Sequence, residues 1–334
     1  MAYEPIGAGG EWLGAVLMNK IAVTGASGYI GQRLIAWLEA EPAVEHILAL
    51  DVRPMTSASP KVTIVQHDVT HPMESLFVEH KVGAAVHLAF LVDPIYDRAR
   101  ECHINVGGTQ NFLAACHAAR VEALLVASSA TAYGAWRDNP PLLTEEAPLR
   151  GKPGFPYVED KLVQEELAAR YAQEHPDCRV LLTRASVVTG PHMNNFLARF
   201  FQKPLSFAIR GANPPIPLVH EEDTARATGS ILLHAPPGAY NLNAPNPVPL
   251  REITRRMGAR VLALPPGLIY PLAGSAWKLH LRKLSEAPPA MLDYIRYPWI
   301  ADGSKVTRAT DFFYRYDGYA AMENFLRSRT SASG

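Results

Sequence analysis

Cysteine is scarce in this chain of 334 residues: Cys102, Cys116 and Cys178 are scattered, odd in number and form no Cys-x-x-Cys pair. That excludes a disulfide-stapled scaffold and points to a reducing, cytoplasmic setting. The 12 histidines fall into no His-Glu-x-x-His or similar spacing, so no metal centre is expected. An excess of one charge is also missing, since 32 basic residues face 32 acidic ones for a formal net charge of +0. Such a balance builds no field toward polyanions, and a nucleic-acid partner is not expected. There is no uninterrupted apolar run of ~18 residues, the length a membrane span requires, so stable membrane insertion is not expected either.

What is present is an ordinary globular mixture, 48% hydrophobic and 19% charged, with room for one large domain or two moderate ones. Residues 1–17 stand apart. They carry Gly7, Gly9, Gly10 and Gly14 and lack the basic start and continuous apolar centre of a secretory signal. They are expected to be a disordered extension, with the folded chain beginning near Met18.

The strongest local signal is Ile21-Ala22-Val23-Thr24-Gly25-Ala26-Ser27-Gly28-Tyr29-Ile30-Gly31. An apolar run enters a glycine-punctuated turn, and Ile30, Leu34, Ile35 and Leu38 follow at helical spacing. Strand, tight turn and helix in that order aim backbone N–H groups and the helix dipole at one point, a place for a pyrophosphate. A glycine triplet alone is weak, because a ligand-free βα turn reads the same way. The apolar run 46–50 is a second strand, ending at Asp51 about 20 residues past the turn. A carboxylate there accepts from the adenosine ribose hydroxyls and repels a 2′-phosphate, which favours NAD over NADP. Arg53, two positions on, weakens that preference.

Residues 62–65, 84–89 and 123–127 read as further strands, and 105–113 as a helix. This alternation predicts an α/β fold, a Rossmann-type doubly wound parallel sheet, over residues 18–190. Residues 191–334 are expected to form a smaller, mainly C-terminal substrate-binding region, with about 216–235 returning to the sheet domain. Residues 138–156 make a polar loop with five prolines, long enough to border a site. The helix after it places Tyr157 and Lys161 on one face at i, i+4 spacing. A phenol of pKa about 10 is a poor base at neutral pH, but a neighbouring ammonium favours the phenolate. Such a pair moves a proton to or from a carbinol oxygen. Alone, the Tyr-x-x-x-Lys spacing is common, and a core tyrosine beside a solvated lysine shares it.

Taken together, the glycine turn, Asp51, His67-Asp68-Val69, His87-Leu88-Ala89, Asn105 to Thr109, Ser128-Ser129-Ala130-Thr131-Ala132-Tyr133-Gly134 and the Tyr157/Lys161 pair occur in one order. In that order they resemble the extended short-chain dehydrogenase/reductases, the NAD-dependent sugar-nucleotide epimerases and dehydratases. The resemblance covers residues 19–191 and continues more loosely through Val219-His220, Asp223, Ala225 and Tyr240-Asn241. It implies a Ser129 hydroxyl that bonds the substrate oxygen, with Thr131 as runner-up, Tyr157 as acid/base, and Lys161 on the nicotinamide ribose, tuning Tyr157. It further implies that Gly25, Gly28, Tyr29, Ile30 and Gly31 cradle the pyrophosphate and Asp51 holds the adenosine ribose. Asp68 and Val69 would flank the adenine, and Leu88, Ala89 and Asn105 would line the rest of the NAD path. A homodimer is implied by the same resemblance.

Departures concern the substrate. A 4,6-dehydratase follows its catalytic threonine with Asp-Glu, where this chain has Ser129-Ala130-Thr131. Ile216 stands where epimerases often place a diphosphate-clamping arginine, leaving Arg199, Arg210 or Arg296 as substitutes from elsewhere. Residues around Phe196, Leu197, Phe200, Phe201 and Phe207, and again 261–277, are apolar, as a lipophilic pocket or the ordinary core of a small cap would be. Pro265, Pro266 and Pro271 interrupt the second stretch, leaving room for no more than a peripheral membrane contact. The leading expectation is a nucleotide-sugar 4-epimerase-like enzyme with transient hydride transfer to NAD. The alternative is a dehydrogenase or reductase of a hydrophobic alcohol or ketone, and the third a dinucleotide sensor without catalysis.

Overall fold

The computed structural model describes residues 18–330 apart from 202, 204 and 283. The extension expected over residues 1–17 lies outside the described residues. The chain opens with β1 (Lys20–Thr24), α1 (Tyr29–Ala40), β2 (His46–Asp51), β3 (Val62–Gln66), α2 (Glu74–Glu79) and β4 (Ala84–His87). Next come α3 (Arg98–Cys102), a π turn over His103–Gly107, α4 (Gly108–Ala119), β5 (Ala123–Ser129) and a 3-10 turn over Ala130–Tyr133. The middle runs α5 (Pro156–Glu174), β6 (Arg179–Ala185), β7 (Val187–Thr189), α6 (Phe196–Phe201), β8 (Leu205–Ile209), β9 (Pro215–Ile216), β10 (Leu218–His220), α7 (Glu221–His234) and β11 (Gly238–Leu242). It closes with β12 (Val248–Pro249), α8 (Leu250–Arg256), β13 (Arg260–Leu264), α9 (Pro266–Lys278), a 3-10 segment over Pro289–Ile295, α10 (Ser304–Ala309) and α11 (Gly318–Thr330).

Seven strands form one sheet in the order β11-β6-β5-β4-β1-β2-β3, every pairing parallel. Their continuous apolar runs follow from burial on both faces, because alternate residues of a strand point opposite ways. Ile21, Val23, Ile47, Ala49 and Leu181 pack under Leu34 and Leu38 of α1 and Ile231 and Leu232 of α7. Ala22, Leu48, Leu50, Leu124 and Leu182 pack under Phe77, Phe112 and Tyr171 on α2, α4 and α5. The strand order reverses between β1 and β4, and a crevice opens there beyond the strands' carboxyl ends.

Boundaries differ from the sequence pattern in three places. β4 stops at His87 rather than continuing to residue 89, although the Leu88 N–H still donates to Thr24 O at 3.1 Å. The helix expected from residue 105 begins earlier, at Arg98, and passes through a π turn over His103–Gly107 before returning to α geometry at Gly108. β5 runs two residues further, because Ser128 and Ser129 pair with Arg184 and Ala185 of β6. That extension carries Ser129 to the lip of the crevice. α7 packs against α1, and its Asp223 accepts from the N–H groups of Arg315 and Tyr316 at 2.9 and 3.0 Å. α6, β8, β9, α8, α9 and the 3-10 segment over Pro289–Ile295 build a cap whose core joins Met193, Ile209, Ile216, Ile253, Ile269 and Ile295.

Candidate active site

Gly25 has φ +71°, and a Cβ there would lie 2.6 Å from the Ala89 nitrogen. At Gly31 a Cβ would lie 2.2 Å from Gly25 O. The turn is therefore wedged against the exit of β4 at a spacing only glycine permits. Its Gly28 N–H donates to Gly25 O at 3.0 Å. Asp51, at the end of β2, accepts from the Ser27 N–H (3.0 Å) and the Arg53 N–H (2.9 Å), which fixes its carboxylate beside the turn. A cavity of about 280 Å³ opens alongside, lined by Ser27, Tyr29, Gln32, Arg33, Arg53, His192 and Asn194. A helix N-terminus and two guanidinium groups suit the phosphates of a dinucleotide.

The remaining residues singled out for the cofactor fall along the same edge with one exception. Asp68 accepts from the N–H and hydroxyl of Thr70, both at 2.9 Å, and the backbone bond holds its carboxyl below the usual range. Val69 is buried against Gly108, where a Cβ would come within 2.7 Å of it. Tyr29, Ile30 and Leu88 line a second cavity, and the Ala89 backbone abuts the glycine turn. Asn105 sits one layer back. It is fully buried, its Oδ1 accepting from Leu91 N–H (2.8 Å) and its Nδ2 donating to Asp160 (2.9 Å).

The second cavity, about 250 Å³, brings Ser129, Thr131, Tyr157 and Lys161 together. β5 delivers Ser129, whose Oγ accepts from the Thr131 hydroxyl (2.8 Å) and its N–H (3.2 Å). α5, started by Pro156 in its first turn, delivers Tyr157 and Lys161 one turn apart. Burial pushes the Tyr157 phenol up, and its hydrogen bond with Ser129 pulls in the other direction. Burial pushes Lys161 down to about 7, against the attraction of Glu165 and Asp160. Its Nζ donates to Ala127 O (2.6 Å) and Gln164 Oε1 (3.0 Å).

A buried chain of hydrogen bonds backs this lysine. Gln164 Nε2 donates to Thr109 Oγ1 (3.0 Å), whose own hydrogen goes to Asn105 O (2.7 Å). His87 Nε2, 3.2 Å from the same oxygen, must therefore carry the proton, and Thr24 Oγ1 donates to His87 Nδ1 at 2.7 Å. On the other flank, Arg184 and Glu165 form a fully buried pair at 2.6 Å, with Ser128 donating to the same carboxylate.

The walls away from these polar groups are apolar: Phe90, Val92, Phe196, Leu197, Phe200, Ile216, Leu250, Met291 and Ile295. Lys161 is the one Lys, Arg, His, Asp or Glu among the lining residues. Arg199 does not enter, being paired to Asp93 (2.9 Å) and Glu286 (2.8 Å), and Arg296 lies against the rings of Tyr270 and Tyr297. Arg210 is exposed and does not line the cavity. Sequence reasoning missed Phe90, which its place just past the end of β4 marks as crevice-facing. It also missed Met291, Tyr294 and Trp299, which arrive from the far end of the chain without a motif.

A parallel sheet carrying a glycine turn at its switch point and a Ser-Tyr-Lys cluster beside it defines a Rossmann-type dinucleotide enzyme. The chain belongs to the NAD dependent epimerase/dehydratase family, which it matches over residues 21–242. An uncharacterized protein of Mycobacterium tuberculosis is 24% identical over 319 residues, 92% of this chain and 84% of that one. Human dTDP-D-glucose 4,6-dehydratase is 30% identical over 188 residues, 52% of each chain. The 3 beta-hydroxysteroid dehydrogenase/Delta 5-->4-isomerase of vaccinia virus is 28% identical over 160 residues, 46% of each. Among solved structures, Thermus thermophilus UDP-glucose 4-epimerase in complex with NAD superposes with a TM-score of 0.74 at 18% identity, covering 94% of this chain and 99% of that one. The expected fold, the resemblance to extended short-chain dehydrogenase/reductases and NAD as cofactor all hold.

Proposed function

We propose that this protein is an NAD-dependent dehydrogenase or reductase that interconverts a secondary alcohol and a ketone on a predominantly apolar small molecule. The observation that carries this reading is the cavity lining: a hydroxyl-phenol-amine cluster at one end, aliphatic and aromatic walls elsewhere, and one cation, Lys161. A nucleotide diphosphate brings roughly two negative charges, and burying them without arginine partners is costly. That weighs against the epimerase reading, although the family contains such enzymes. Elimination of water needs a further acid/base pair; Ala130 and Thr131 occupy the places of Asp-Glu, and no carboxylate lines the cavity.

In this reading Ser129 and Tyr157 bond the substrate oxygen, and Tyr157 takes the proton of the alcohol. Bound NAD supplies the hydride acceptor. Lys161, swinging from Ala127 O and Gln164, bonds the ribose and favours the phenolate electrostatically. The glycine turn and Asp51 hold the dinucleotide. The test is reduced-cofactor formation with sterols and long-chain secondary alcohols, run beside UDP-glucose and UDP-galactose. Stoichiometric NADH from an apolar alcohol is expected. Interconversion of the two UDP-sugars with no net cofactor change would replace this reading with the epimerase one.

A further inference from the structure

The net charge of zero conceals a local excess. Residues 253–285 contain Arg255, Arg256, Arg260, Lys278, Arg282 and Lys283 and no Asp or Glu. This stretch folds as the end of α8, β13, α9 and the turn after it. α9 leaves apolar side chains in solvent: Ile269 and Ala276 are buried, while Leu268, Leu272 and Leu279 recur on the neighbouring stripe at 46, 53 and 67% exposure. Leu281 and Leu284 continue the exposure in the following turn.

The neighbouring ribbon does the same. β13 pairs with β8 in parallel, Arg260 beside Leu205 and Leu262 beside Phe207, so these four share one face. Leu205 and Phe207 are exposed, and the alternate residues Ser206 and Ala208 are buried. Nine of the 16 exposed large hydrophobic residues among those described lie in this ribbon, α9 and the turn, which rules out random scatter.

The cations decide what would cover the surface. Arg255 and Arg256 are spent on Glu252, but Arg260, Lys278 and Arg282 meet no carboxylate among the described residues. A second copy docking through this face would bring two acid-free cationic surfaces together. Leucines flanked by unneutralised ammonium and guanidinium groups complement acyl chains beneath anionic headgroups. No helix among the described residues is long and apolar enough to cross a membrane, so the contact is peripheral. We propose that β13, α9 and the turn after it form a docking surface for an anionic lipid bilayer. Delivery of an apolar substrate from that bilayer would rest on the function proposed above; the surface itself does not, and lipid binding tests it separately.

The experiment is co-sedimentation of the full chain with phosphatidylcholine vesicles, with and without phosphatidylglycerol. Binding is expected at least about tenfold stronger with the anionic lipid, weakening as salt rises. Leu272→Asp/Leu279→Asp and, separately, Lys278→Glu/Arg282→Glu should each reduce it about tenfold while leaving the thermal midpoint and NAD affinity in place. The salt and lipid dependence of the unaltered chain needs no variant and remains decisive should one fail to fold. The proposal is overturned if the unaltered chain ignores anionic vesicles, or if both folded variants sediment as it does. A dimer by light scattering that these substitutions dissociate, with no vesicle binding, would assign the face to a second copy instead.

Discussion

Lys161 Nζ stands 3.5 Å from the centre of the Phe90 ring, and that ring meets Tyr157 edge-on with centroids 5.4 Å apart. One aromatic side chain thus braces both members of the proposed acid/base pair. The ring's negative face favours the protonated lysine, an effect of about 1–2 kcal/mol when desolvated. Phe90→Leu keeps the apolar wall and removes that face. It should lower kcat/KM roughly tenfold, with a smaller change in NAD affinity measured by titration. Unaltered turnover would mean that the ring serves the wall alone.

Tyr157→Phe should remove turnover and leave NAD affinity within a few-fold, because the phenol oxygen has no place in holding the dinucleotide's phosphates. Ser129→Ala is the more informative change. Burial raises the Tyr157 phenol and the Ser129 hydrogen bond opposes it, so losing that bond moves the phenol further up. In the direction of alcohol oxidation the base form is required. The ascending, acid-side limb of the pH–rate profile should therefore shift to higher pH in Ser129→Ala, with kcat reduced about a hundredfold. A profile that keeps its midpoint would show that Ser129 does not tune Tyr157.

Gly25 and Gly258 separate two costs of a side chain. Both have positive φ, +71° and +69°, but an added Cβ meets backbone of Ala89 at 2.6 Å in the first and nothing within 4 Å in the second. Gly258→Ala should cost about 1–2 kcal/mol of stability from backbone strain and leave cofactor affinity unchanged. Gly25→Ala should cost more stability and at least about tenfold in NAD affinity, since the turn must move away from β4. Equal behaviour of the two variants would detach the turn from cofactor binding.

Local features were legible in the sequence. The glycine turn, Asp51 at a strand end and Tyr157 with Lys161 each rest on spacing within a few residues, which backbone periodicity dictates. The cavity walls were not, because Phe90, Phe200 and the pair Met291 and Trp299 converge from three separate parts of the chain. Asn105 could be placed on the right element, but its engagement with Leu91 and Asp160 depends on a π turn that no local pattern announces. Composition misled in one respect: an even charge count describes the whole chain and hides the acid-free stretch 253–285.

His87 offers a test of the buried chain behind Lys161 that does not depend on substrate. Its proton sits on Nε2 facing Thr109, its Nδ1 accepts from Thr24, and both partners are buried. Burial first, and the Lys161 charge second, push it down to about 3. An unfolded chain takes up this proton as pH falls through about 6.5, whereas the folded chain refuses it until about 3. The unfolded state therefore binds more protons in that window, and stability present above it is lost progressively as pH falls toward 3. His87→Gln keeps a donor and an acceptor but cannot titrate. Between pH 7 and pH 4 the unaltered protein should lose about 3 kcal/mol more than this variant in urea unfolding. Parallel losses in the two proteins would place the acid sensitivity elsewhere and leave His87 a spectator of the chain that ends at Lys161.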